Sequence, residues 1–176
     1  MNVVRSAGMA AVAICLASCG TQSNSPADPS TAPVNTHSLQ ELCDSPKQFF
    51  ATEFHADNLK IGTVTGTPLS ERIGQNNQCT YHTADDKYLG YLYLDAPTGA
   101  PAPSAPPIPT RLTVDGVAVT ETPEPLPTYL ESRFTPLRLS ATIDGWKGQF
   151  YFLGGEDPTI QAAARVLVNT VKTLKS

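Results

Sequence analysis

The side chains able to do covalent or metal chemistry are few in this chain. Four cysteines, at 15, 19, 43 and 79, and three histidines, at 37, 55 and 82, are its candidate nucleophiles and soft ligands. Four thiols permit three pairings. A metal reading would join Cys79 to His82, three places on, and to His55, which falls between Cys43 and Cys79. Cys79 and His82 lie in a run with strand character, however, where an odd separation sends side chains to opposite faces and keeps them from holding one ion. Hydrolysis through a nucleophile needs a Ser or Cys activated by a base, and the chain holds no Gly-x-Ser-x-Gly elbow and no Ser-x-x-Lys. Acids pair at Asp85-Asp86 and Glu156-Asp157, the first in a turn and the second at a helix start, where solvation and capping account for them. His37 reads as solvated, and His55 ends a helix, where the macrodipole favours a cation without any catalytic role. No glycine loop running into Lys-Ser or Lys-Thr follows a strand, so a nucleotide site has no support. The expectation is therefore no catalytic residue, no cofactor and no metal.

The most specific stretch is N-terminal. Arg5 precedes an apolar segment from Ala7 to Ala17, and small residues lead to Cys19. That is the layout of a secretory signal over residues 1–18. The apolar run is too short to cross a hydrocarbon core of about 30 Å, and no second such run follows. Leu16-Ala17-Ser18-Cys19-Gly20 resembles the lipobox of bacterial lipoprotein precursors. The resemblance implies cleavage between Ser18 and Cys19, a diacylglyceryl thioether on Cys19, and a new amine open to acylation. Two acyl chains, at about 0.8 kcal/mol per buried methylene, hold a protein to a bilayer far better than one. It also implies an extracytoplasmic, membrane-anchored location. With Cys15 lost in the signal and Cys19 lipidated, Cys43 and Cys79 are left to pair, as an oxidising compartment favours.

The full chain carries 12 basic and 16 acidic residues, a formal net charge of −4. Arg5 is the one charged residue of the signal, so its removal makes the balance slightly more acidic. Nucleic acid, which needs a basic stripe to displace counterions, is excluded as a partner.

These chemical groups need positioning elements, and the residue pattern supplies them. Residues 19–36, rich in Ser, Thr, Pro and Asn, read as a disordered tether. A single domain over 37–176 follows. It opens with a short helix over 38–42 and a second from Pro46, capped by Ser45, with Phe49, Phe50 and Phe54 on its apolar side. Ile61 and Val64 fall in a β-rich run broken by Gly62 and Gly66. Residues 79–83 and 87–94 form a hairpin around Ala84-Asp85-Asp86. Its second strand, with Leu89, Tyr91 and Tyr93 on one face and Tyr88, Leu92 and Leu94 on the other, reads as covered on both sides. Two Asp-Gly pairs predict tight hairpins. At Asp115-Gly116 the register sets Val114 opposite Val117 and Leu112 opposite Val119. At Asp144-Gly145 it pairs Ile143 with Trp146, Leu139 with Phe150 and Leu137 with Phe152. Trp146 reads as hairpin packing, with a sugar platform as the alternative. The prolines of 96–109 mark a surface loop, either a spacer or a ligand for an aromatic groove, and those at 123, 125 and 127 argue against central strands. A closing helix from Asp157-Pro158 to Leu174 lines up Ile160, Ala164, Leu167, Val171 and Leu174.

The sum is an α+β fold: an antiparallel sheet of about six or seven strands packed by a long C-terminal helix and short N-terminal helices. Cys43 in the opening helical region, Cys79 at the head of an aromatic strand and the amphipathic closing helix resemble the small two-cysteine envelope lipoproteins of mycobacteria, nocardiae and their relatives. Some lipoproteins of those organisms form α/β/α sandwiches similar to the photosystem-associated PsbP and the nuclear-import factor Mog1. The resemblance implies an envelope location and no established activity. The functional expectation is a non-catalytic binding or accessory module, with an unknown envelope protein as partner. The alternatives are a carrier of a lipid or small apolar ligand in a cavity between sheet and helix, and an enzyme. The carrier fails if Phe150, Phe152, Leu139 and Leu167 fill the space beneath the closing helix.

Overall fold

The first helix begins where sequence places a strong cap. Ser38 accepts a hydrogen bond from the Glu41 amide while the Glu41 carboxylate accepts from the Ser38 amide at 2.7 Å, a reciprocal capping box that starts α1 (Leu39–Asp44). In the computed structural model, residues 35–98, 112–126 and 135–175 are described. The predicted signal, Ser18, Cys19, most of the tether, most of the proline-rich stretch 96–109 and Pro127 lie outside them. Ser45 closes α1 instead of opening the next helix: its hydroxyl donates to the Glu41 carbonyl at 2.9 Å, and α2 (Lys47–Phe54) starts after Pro46. The two helices follow one another too closely for Ser45 to turn toward the second.

The chain then enters β1 (Lys60–Thr63), and Val64 leaves it in a short 3-10 turn (Val64–Gly66). After this come β2 (Asn77–His82), β3 (Tyr88–Asp95), β4 (Leu112–Val114), β5 (Val117–Pro123), β6 (Leu137–Ile143), β7 (Trp146–Phe152) and α3 (Asp157–Leu174). All seven strands form one antiparallel sheet in the order β1-β2-β3-β7-β6-β5-β4. Both Asp-Gly hairpins hold the registers expected of them, with Leu112 opposite Val119 and Leu139 opposite Phe150. Asp115 and Asp144 take φ of 47° and 50°, the left-handed conformation these two-residue turns require. Pro123 does lie in a strand, at the end of β5 where β4 no longer pairs with it, so its missing N–H interrupts no ladder.

One face of the sheet takes all three described helices. Leu92, Leu94, Leu139, Phe150 and Phe152 from the strands meet Leu42 and Phe50 from α1 and α2 and Leu167, Val168 and Val171 from α3, each almost wholly buried. Phe49 joins them, its ring edge-on to Phe150 at 5.2 Å and to Phe152 at 5.6 Å. Gly148, under α3, permits the closest approach of helix to sheet: a Cβ there would collide with Val171 and come within 2.9 Å of Leu167. Cys43 of α1 and Cys79 of β2 are joined in a fully buried disulfide, with Cα atoms 5.4 Å apart. Tyr81 donates its phenolic hydrogen to the Cys43 carbonyl at 3.1 Å, tying the same two elements together.

The fold starts before His37. Asn35 is buried, its amide donates to the Leu174 carbonyl at 2.6 Å, and its side-chain oxygen accepts from the His37 amide at 2.7 Å. The polar character that marks 19–36 as tether therefore does not extend to its last residues. Asn35 is polar because it must satisfy the open end of α3.

Candidate functional site

The second face of the sheet is built by period-two alternation. Residues directly opposed across an antiparallel ladder share a face, so the registers trace rows across the strands. One row runs Thr120, Ser140, Gln149, Tyr93, Gln78 through β5, β6, β7, β3 and β2. The neighbouring row runs Thr122, Arg138, Tyr151, Tyr91, Thr80 through the same strands. Tyr91 and Tyr151 stack with ring planes 4° apart and centroids at 5.2 Å, and Tyr88 continues the aromatic group toward Tyr151 on one side and His82 on the other. No described helix covers this face, so the second helical layer of an α/β/α sandwich is not found among the described residues.

The expected face assignment of β3 changes here. The ladder slips between Tyr81 and His82, which pair with Gly90 and Tyr88, leaving Leu89 as an extra residue in a bulge. Leu89 turns into the core and Tyr88 to the outer face, the reverse of strict alternation. Among the described residues, helices cover the strand on one side.

Polar chemistry on this face is mostly neutral. Arg138 lies 2.9 Å from Glu124 Oε1, an ion pair off the line of a hydrogen bond. Partial burial raises the ionisation of the Tyr91 phenol, an effect that Arg138 opposes. Tyr93 is raised as well, first by burial and then by the Asp95 carboxylate, while its hydroxyl donates to Asn76 at 3.2 Å. Both phenols stay protonated at neutral pH. The side chains of Thr120, Ser140, Gln149 and Gln78 are half-buried and, among the described residues, make no hydrogen bond within the protein. Above β5 and β6 the face dips into an open concavity of about 470 Å³ lined by Ala118, Thr120, Ser140 and Thr142.

Of the residues singled out from sequence only His82 borders this surface, and the structure does not bring them together. Cys79 faces the core and His82 the outer side, where its ring meets Tyr88 edge-on at 5.3 Å. The odd spacing does separate them. His55 is exposed in the left-handed position that ends α2. His37 is held at the edge of the fold, with Nδ1 3.3 Å from Glu41 Oε1, instead of standing free in solvent. No group of three metal-binding side chains occurs among the described residues. Asp85 accepts from the Thr83 hydroxyl at 2.7 Å, which holds its carboxyl below the usual range, and it lies 3.2 Å from Lys87. Trp146 packs with Ile143 against the core. Phe150, Phe152, Leu139 and Leu167 fill the space under α3 with no exposed surface. No described helix is long and apolar enough to cross a membrane.

The expectation of a β3 covered on both sides hides the outer rows, because it treats Tyr91 and Tyr93 as buried aromatics. Their alternation with Leu92 and Leu94, combined with Thr, Ser and Gln at the outward positions of β5 to β7, is the signal that marks a one-sided sheet. Comparison with protein-family models, curated proteins and solved structures finds no match to this chain.

Proposed function

We propose that this chain is a cell-envelope lipoprotein, anchored through Cys19 after cleavage behind Ser18, that acts as a non-catalytic binding module through the outer face of its sheet. The observation that carries the binding role is the two-sidedness of the sheet. One face is sealed by the three described helices, whereas the other carries the half-buried Tyr91 and Tyr93 beside hydroxyl and amide groups of Thr120, Ser140, Gln149 and Gln78. Tyrosine is enriched where proteins bind, since it joins an apolar ring to a polar tip. The buried disulfide favours an oxidising compartment. Phe150, Phe152, Leu139 and Leu167 fill the space directly beneath the middle of α3, which favours a binding surface over a carrier cavity there.

Two measurements test this reading. Intact mass of the membrane-extracted protein should show a diacylglyceryl Cys19 terminus, and Cys19→Ser should release the chain from the membrane fraction. A photoreactive phenylalanine replacing Gln149, on the outer face, should give a defined adduct in the envelope, while one replacing Asn169, on the exposed side of α3, should not. Equal labelling from both positions counts against the outer face as the working surface.

A further inference from the structure

Resting on that assignment of the working face, we propose that its occupant is a neutral glycan strand lying across the sheet. Thr120, Ser140, Gln149, Tyr93 and Gln78 are consecutive cross-strand neighbours. With strands about 4.8 Å apart, this row extends about 19 Å, a length suited to a chain and not to a single small molecule. Every member of the row is uncharged at neutral pH, and Thr, Ser and Gln side chains each both donate and accept hydrogen bonds, as sugar hydroxyls do.

Charge complementarity argues for a neutral partner. In the adjacent row Arg138 is already paired with Glu124, and on the other side Lys147 stands directly opposite Asp95. Among the described residues the face therefore offers no excess of either sign to draw a phosphate or a polyanion. Tyr93 supplies flat apolar surface for the C–H face of a sugar ring beside the hydroxyl and amide groups of the row. The concavity of about 470 Å³ over Thr120 and Ser140 falls in the ordinary size range of ligand sites, roughly 300–1,000 Å³, and gives the strip a shaped end. A protein partner would want an apolar anchor at the centre of its interface. Here the centre is Gln149, flanked by Ser140 and Tyr93.

The test is titration of the full-length chain, in a detergent without a sugar headgroup, with a soluble α-1,4-glucan, a β-1,4-mannan and an arabinogalactan. At least one should bind, and its affinity should hold when salt is raised to about 1 M, where screening shortens to about 3 Å. Tyr93→Ala and Gln149→Ala should each weaken binding about tenfold, and Gln48→Ala, on the exposed side of α2, should not. Thermal melting of each variant separates lost binding from lost folding, and Ser140→Ala provides a milder substitution on the same row. The proposal is overturned if none of the three glycans binds, if binding fades with salt, or if the Tyr93→Ala/Gln149→Ala pair binds as the unaltered chain does. Protein adducts from position 149 with no glycan binding would remove this inference and leave the binding-module reading standing.

Discussion

Tyr81 shows how much a single side chain settles. Its ring is fully buried, tilted against Phe50 at 4.9 Å, and its hydroxyl reaches the Cys43 carbonyl. Burial pushes its ionisation well above the ordinary value of 10.0, with the Asp44 charge adding to the shift. An acid held protonated in the folded state binds more protons than it does unfolded, so its contribution is complete below pH 10 and declines as pH rises above that value. Tyr81→Phe should cost about 1 kcal/mol at neutral pH from the lost hydrogen bond. It should also flatten the fall in stability above pH 10, as urea unfolding at pH 7 and at alkaline pH would show. Asn35 is the second such residue. Asn35→Ala strands the Leu174 carbonyl and the His37 amide, and an unpaired buried group costs about 1–3 kcal/mol, measurable as a lower melting temperature. Neither role was legible in the sequence. Asn35 closes a polar run whose composition matches a tether, and nothing local reveals that its partner lies 139 residues away.

The elements divide by whether their cause is local. Asp115-Gly116 and Asp144-Gly145 carry their turn geometry in two residues, and the flanking alternation fixes the registers, so both hairpins were readable in full. The closing helix is equally plain, because its apolar stripe from Ile160 to Leu174 repeats along most of an 18-residue helix. The bulge at Leu89 is not, since it answers to the approach of the neighbouring strand. A Cβ on Gly90 would strike the Tyr151 carbonyl, so the ladder there is set by β7 and not by β3 alone. That one-residue slip brings Tyr88 to the outer face and turns Leu89 into the core, a change the residue pattern of β3 alone does not show. Gly148 plays the matching role toward α3. Gly148→Ala pushes a methyl into Val171 and Leu167, and overpacking of this kind costs about 1–3 kcal/mol, which denaturant unfolding would detect.

At the scale of the whole molecule, the disulfide and the helix-to-turn contacts bind the sheet's two halves to its helices. Cys43 and Cys79 are 36 residues apart, and closing a loop of that length lowers the unfolded chain's entropy enough to contribute about 3–4 kcal/mol. The Cys43→Ala/Cys79→Ala pair should lose that amount by chemical unfolding, and reduction of the unaltered protein in denaturant should produce the same shift. At the other end of the sheet, Lys172 meets Asp115 at 3.5 Å and Lys175 meets Asp144, so the last turn of α3 touches both Asp-Gly hairpins. Asn35 holds the same turn from the opposite end of the chain. Asn35 and Leu174, near the two ends of the described residues, are thus neighbours. A short peptide joining Lys175 to Asn35 would therefore close the polypeptide into a ring with its native connectivity intact. Such a cyclised form could be cut open at Asp85-Asp86 to give a permuted protein whose new ends lie in the exposed turn between β2 and β3.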